Sequence, residues 1–220
     1  MRTIRVTGKG NIKVRPDTTR LTITLNGLYK DYGETLKHSS EDTDALKELL
    51  SKFGFERSDL KTLRFNVDTR YESYKVKDTY KERFLGYEYN HRLKVEFEND
   101  NERLGKVLYV LANSSLKPEF RISYTVKDPE AVKNELLGKA VKDAISKAGV
   151  LASSAGVALK DIQSVDYSWS HVDLEVRPMH MDRHEREFMY LGCMESKMDL
   201  DIEPDDIEVT DTVTVVWEIG

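Results

Sequence analysis

The sequence predicts an α+β fold, a mixed, largely antiparallel sheet arrangement with helices mainly on one face. Two observations carry this. Apolar residues alternate with polar ones in short stretches, the period of a half-buried strand, and elsewhere recur at the three-to-four spacing of a helix. Their order is β, then β-α-β-β-α-β, then α-β-β, and the middle six have the pattern of a ferredoxin-like unit.

Ile4, Val6, Ile12 and Val14 alternate over Thr3–Val14, giving a first strand, with a bulge or bend expected at Gly8 and Gly10. Arg15-Pro16-Asp17 is a turn. Leu21, Ile23 and Leu25 mark a second strand over Thr19–Leu28. Asp31-x-x-Glu34 is a capping box. Leu36, Ala45, Leu46, Leu49 and Leu50 form the apolar stripe of the helix it opens, and Gly54 suits its end. A long hairpin follows, from Leu63, Phe65 and Val67 through Tyr71 and Tyr74, around Lys77-Asp78, and back through Phe84 to Phe97.

Asn99-Asp100 caps a second helix with the stripe Leu104, Val107, Leu108 and Leu111. Phe120, Ile122, Tyr124 and Val126 alternate as a strand. Asp128-Pro129 opens a long helix to about Ala155, since aspartate accepts the first free N–H groups and proline suits the first turn. Its stripe is read as Leu137, Val141, Ala144, Ala148 and Ala155, small enough for close approach to a sheet. Ile162, Val165, Tyr167 and Trp169 suggest a strand, and Val209, Val213, Val215 and Trp217 give the last one. The whole, 1–220, reads as one domain with two subdomains. Residues 19–127 form the ferredoxin-like unit, and 1–18 with 128–220 form a discontinuous α+β unit. A single sheet shared by both is the alternative.

A chain of 220 residues buries enough surface to need neither disulfide nor metal for a core. With 34 basic and 39 acidic residues it is no general nucleic-acid binder, whose affinity depends on neutralising phosphates. No apolar run approaches the roughly 20 residues that cross a bilayer. Met1-Arg2 runs straight into a strand, so the expectation is a cytosolic chain, or a periplasmic or secreted one if a leader was removed.

Several motifs carry the letters of chemistry. Gly8-Lys9-Gly10 lacks the spacing of a phosphate loop and reads as backbone freedom at a bend. In segment 179–198, His180 and His184 stand four apart, with Cys193 and five methionines nearby, Met179, Met181, Met189, Met194 and Met198. That is a candidate soft-metal or redox site, but without the spacing of a known one. A loop with apolar anchors is the plainer reading. Ser170-His171-Val172-Asp173 reads as a strand end, since triads assemble from separated segments.

Tyr71, Tyr74, Tyr80, Tyr87 and Tyr89 crowd the hairpin among Arg70, Lys75, Lys77, Lys81 and Arg83. This interleaving suits either stacked single strands or a protein interface. The acidic balance favours the interface, with these five tyrosines as its residues and no nucleic acid as partner.

Val6-x-Gly8-x-Gly10, then Pro16-Asp17, then Leu60-Lys61-Thr62, Tyr71 and Gly86-Tyr87 occur in one order along the chain. Ala140, Asp143-Ala144 and Lys147-Ala148 continue it, followed by Gly156-Val157-x-Leu159. Ile202-Glu203-Pro204 and the alternating valines to Trp217 complete it. In this order and spacing the chain resembles the SIMPL-domain family, a domain of unknown function that includes YggE-like bacterial proteins and a periplasmic immunogenic protein. Asp205 stands where the family usually has glycine. The resemblance implies tolerance of oxidative stress and large ring-like assemblies, and no catalytic residue comes with it. The expected function is a non-enzymatic homo-oligomeric assembly module, without cofactor, with an unidentified protein as further partner. The alternatives are a metal- or redox-responsive binder through 179–198, and an enzyme of unknown reaction.

Overall fold

A computed structural model describes residues 2–76, 79–167, 173–177 and 202–220. In chain order the elements are β1 (Arg2–Val14), β2 (Thr18–Tyr29), α1 (Tyr32–Ser51), β3 (Lys61–Val76), β4 (Thr79–Glu98), α2 (Asn101–Ala112), β5 (Glu119–Thr125), α3 (Pro129–Ser154), β6 (Leu159–Asp166) and β7 (Ile207–Ile219). The fold is α+β with two separate antiparallel sheets, not one shared sheet. The described residues fall into two compact units. One comprises 2–17, 124–167, 173–176 and 204–220; the other comprises 18–76 and 79–123 with Arg177 and 202–203.

In the first unit the sheet order is β1-β7-β6. β1 and β7 pair from Arg2↔Ile219 to Val14↔Ile207 with no break in register. The bulge expected at Gly8 and Gly10 is therefore absent, and neither glycine has a positive φ. Their role is room. A Cβ on Gly8 would stand 2.1 Å from the Ala140 carbonyl oxygen, and one on Gly10 would stand 2.3 Å from that of Leu136. The backbone of α3 lies directly on β1 there.

The helix supplies the matching small face. Its buried residues are Leu136, Ala140, Ala144, Ala148 and Ala152, spaced by four. The stripe read from the sequence is thus displaced: Leu137 and Val141 flank the contact, and Ala155 lies past the helix end. Val6, Val213, Val215 and Trp217 complete this core, and Ile12, Val126, Leu136, Leu174, Ile207 and Val209 form a second cluster beside it.

In the second unit the order β3-β4-β2-β5 is that of a ferredoxin-like sheet, with the first and third strands of the βαββαβ run at its centre. Leu21, Ile23 and Leu25 of β2 and Leu93, Val95 and Phe97 of β4 point to one face. Leu46 and Leu50 of α1 and Leu104, Val107, Leu108 and Leu111 of α2 cover it. A fully buried leucine of this kind contributes roughly 1.5–3 kcal/mol by leaving water.

The inner face of α1 differs from the stripe read in the sequence. Leu36 is exposed, and Thr35, Ser39 and Thr43 are buried ahead of Leu46 and Leu50. The two threonine hydroxyls tolerate burial because each bonds back to a carbonyl four residues earlier: Thr35 Oγ1 donates to the Asp31 carbonyl and Thr43 Oγ1 to the Ser39 carbonyl, each at 2.7 Å.

Candidate functional site

Two features of the second unit stand out from its core: an arm of two strands and a hollow at its edge. The arm arises because β4 outlasts β2. Their pairing ends at Tyr29↔Tyr87, whereas β3 and β4 continue together to Val76↔Thr79. Residues 79–86 of β4, with their β3 partners, form a ribbon with no third strand among the described residues. The register slips between Arg70↔Gly86 and Tyr71↔Phe84, leaving Leu85 as an extra residue. Gly86 sits there at φ 149°, and a Cβ on it would stand 2.2 Å from the Tyr29 carbonyl oxygen. Only glycine allows the ribbon to turn off the sheet at that point.

Aromatic rings run along the arm. Tyr71 meets Phe84 edge-on at 5.5 Å, Phe84 meets Tyr87 at 5.4 Å, and Tyr87 meets Tyr32 of α1 at 5.3 Å. Tyr71, Tyr74, Tyr80 and Phe84 are 55%, 42%, 71% and 44% exposed. These rings have no core beneath them. β3 is also the terminal strand of its sheet, and Leu63 and Phe65 are half exposed along it.

Of the five tyrosines read from the sequence as an interface, Tyr89 does not belong to the surface. It is fully buried, and its hydroxyl donates to the Asp42 carboxylate. Burial, and then that bond, push its pKa well above the usual phenol range. Phe84 and Tyr32 join the exposed set and were missed, because neither strand pairing nor helix packing is visible in a list of tyrosines. Two of the basic residues interleaved with them are already neutralised: Arg83 binds Glu72 at 2.6 Å and Arg70 binds Glu88.

The hollow lies between α1 and the β3–β4 edge. It has a volume of about 370 Å³ and is lined by Ser39, Thr43, Lys47, Thr62, Phe65 and His91, among others. His91 is buried at its floor, with Phe65 edge-on at 5.1 Å. Its Nδ1 is 3.0 Å from Thr43 Oγ1 and its Nε2 is 2.9 Å from Thr62 Oγ1. The hydroxyl proton of Thr43 is committed to the Ser39 carbonyl. Nδ1–H therefore donates to Thr43, and Nε2 accepts from the Thr62 hydroxyl. Burial, and then nearby Lys47, hold the imidazole pKa below the usual histidine value. The arrangement is a neutral, fixed imidazole between two hydroxyls.

The remaining motifs resolve differently. The backbone N–H of Lys9 donates to the Asp143 carboxylate at 2.6 Å, so Gly8-Lys9-Gly10 is a helix-packing strand. His180, His184 and Cys193 lie outside the described residues, as do Ser170, His171 and Val172. Among the described residues no cluster of three metal-binding side chains occurs, and no helix is long and apolar enough to cross a membrane.

The chain is similar to known proteins over almost its whole length. The "26 kDa periplasmic immunogenic protein" of Brucella melitensis biotype 1 is 26% identical over 217 residues, covering 98% of this chain and 84% of that protein. The protein of the same name from Brucella abortus strain S19 is equally similar over the same shares. Among solved structures, CutA from Synechococcus elongatus PCC7942 overlaps 59% of this chain and 95% of its own at 13% identity and a TM-score of 0.21, a likeness too slight to bear on the fold. The SIMPL family, described as a protein of unknown function (DUF541), matches residues 4–217, and the chain belongs to it.

Proposed function

We propose that this chain is a non-enzymatic assembly module that associates with further copies of itself through the β3–β4 arm. The observation that carries the reading is the exposed run of Tyr71, Tyr74, Tyr80 and Phe84 on a ribbon that pairs with no third strand among the described residues. An isolated two-stranded ribbon is marginal in water. Aromatic surface and a free strand edge are what soluble proteins ordinarily cover or pair. A closed symmetric oligomer covers them without growing into a filament. The two compact units act in this reading as subdomains, the ferredoxin-like one bearing the contact. The names of the relatives support a periplasmic setting in this reading. A part in tolerance of oxidative stress comes from the family resemblance alone.

The test is the mass of an arm variant. Tyr74→Asp with Tyr80→Asp removes two exposed rings and should reduce the oligomer to single chains of 25.4 kDa with unchanged circular dichroism. A variant that keeps the wild-type mass would contradict the assignment of the arm.

A further inference from the structure

The face of the ferredoxin-like sheet turned away from α1 and α2 carries two successive rows of like charge. Lys61 of β3 is the register partner of Lys94 of β4, and Arg64 is the partner of Arg92. Partners lie about 5 Å apart at Cα, and the rows about 7 Å apart along β4. Like charges directly opposite one another on a sheet repel. Lys94 shares the Glu96 carboxylate with Arg20, at 3.0 and 2.6 Å. Lys61, Arg64 and Arg92, all exposed, have no ion-pair partner among the described residues.

Such a concentration of cations on a chain of net charge −5 is a local positive field that attracts anions. The face also limits what that anion is. Toward the arm it turns acidic at Asp68 and Glu88, which bounds the basic area to two rows. The rings of Tyr29, Tyr87, Tyr89 and Phe97 alternate onto the opposite face, so these rings offer no aromatic platform for a base here. Two guanidinium forks side by side suit the oxygens of phosphate groups. A second charge within about 7 Å requires a ligand with several phosphates in a chain.

We propose that this sheet face binds a multivalent, base-free phosphate anion of the oligophosphate class, with Arg64 and Arg92 gripping phosphate oxygens and Lys61 holding a neighbouring phosphate. The site is independent of the arm and operates in a single chain as in an oligomer.

The probe is fluorescently labelled inorganic polyphosphate, followed by anisotropy. The proteins are the wild type, Arg64→Gln with Arg92→Gln, Lys61→Glu alone, and a charge-matched control, Lys106→Gln with Lys139→Gln. Three unpaired cations imply that wild-type affinity falls roughly 20- to 40-fold between about 50 and about 200 mM salt. With both arginines gone, one contact remains, and the fall shrinks to about threefold. Lys61→Glu weakens binding in the same direction, while the control behaves as wild type. Circular dichroism confirms that each variant is folded, and should the arginine variant fail to fold, Lys61→Glu decides. Absence of binding at the lower salt, or wild-type binding by the arginine and Lys61 variants, would overturn the proposal. So would tighter binding of polyglutamate or of single-stranded DNA of equal charge, which would reassign the face to an acidic peptide or to nucleic acid.

Discussion

His91 shows how a single residue couples this fold to pH. The native imidazole is neutral, donating through Nδ1 and accepting at Nε2, and its pKa is lowered by burial and by Lys47 on α1. Asp44, which also lines the hollow, is engaged with Arg57. In the unfolded chain the ring takes up a proton near its ordinary pKa of about 6.5, whereas the native ring resists it. Stability is therefore full above that value and falls as pH drops below it. Urea midpoints measured from pH 7.5 to 5.0 should decline in the wild type, and the decline should be smaller in His91→Gln.

Tyr124 makes the opposite point. It is buried, yet its hydroxyl has no hydrogen-bond partner among the described residues. Burial raises its pKa without any bond to compensate. An orphaned polar group of this kind costs about 1–3 kcal/mol. Tyr124→Phe should leave the melting temperature unchanged or raise it, with a gain of up to about 1 kcal/mol. A loss larger than that would show that the hydroxyl has a partner in solution.

At the scale of elements, α3 and β1 make a contact whose logic is space. Gly8→Ala places a methyl group inside the van der Waals shell of the Ala140 carbonyl and the Ala144 backbone nitrogen. Overpacking against backbone should cost about 3 kcal/mol or more, the upper end of the usual range, because no side chain can move aside. The same substitution at Gly138, with nothing within 4 Å, should be neutral or stabilising, since alanine is the better helix former. Chemical denaturation of the two variants decides between this and the strand bend suggested by sequence alone.

That contrast also shows which parts of the fold the sequence disclosed. Alternation placed β1 to β5 and β7, while β6 ends at Asp166 with Ile162 and Val165 exposed, and Trp169, read as part of it, lies outside the described residues. Asp31, Asp100 and Asp128 announced the three helix starts where their side chains do cap. What escaped were facts of tertiary contact. The buried threonines of α1 are invisible to hydropathy because their hydroxyls are satisfied locally. Tyr89 is two residues from Tyr87 in sequence, and only the length of β2 makes one core and the other part of the arm's ring chain. The paired cations of the sheet face emerge only once the register of β3 on β4 is known. The arm itself was legible as a hairpin too long for its subdomain, but Phe84 and the slip at Leu85 were not.

At the scale of the molecule, the account rests on self-association through the arm. The chain carries a net charge of −5, so copies brought together repel, and that repulsion weakens as salt shortens the Debye length from about 30 Å at 0.01 M to about 8 Å at 0.15 M. Burial of Tyr71, Tyr74, Tyr80 and Phe84 does not weaken with salt. The two dependences make salt diagnostic, because an assembly held by exposed ion pairs would loosen where this one tightens. The most direct measurement is the mass of the wild-type chain by light scattering after size exclusion, over a range of salt at micromolar concentration. The account predicts a discrete multiple of 25.4 kDa that persists or tightens as salt rises. A mass of one chain at every salt and concentration would contradict it.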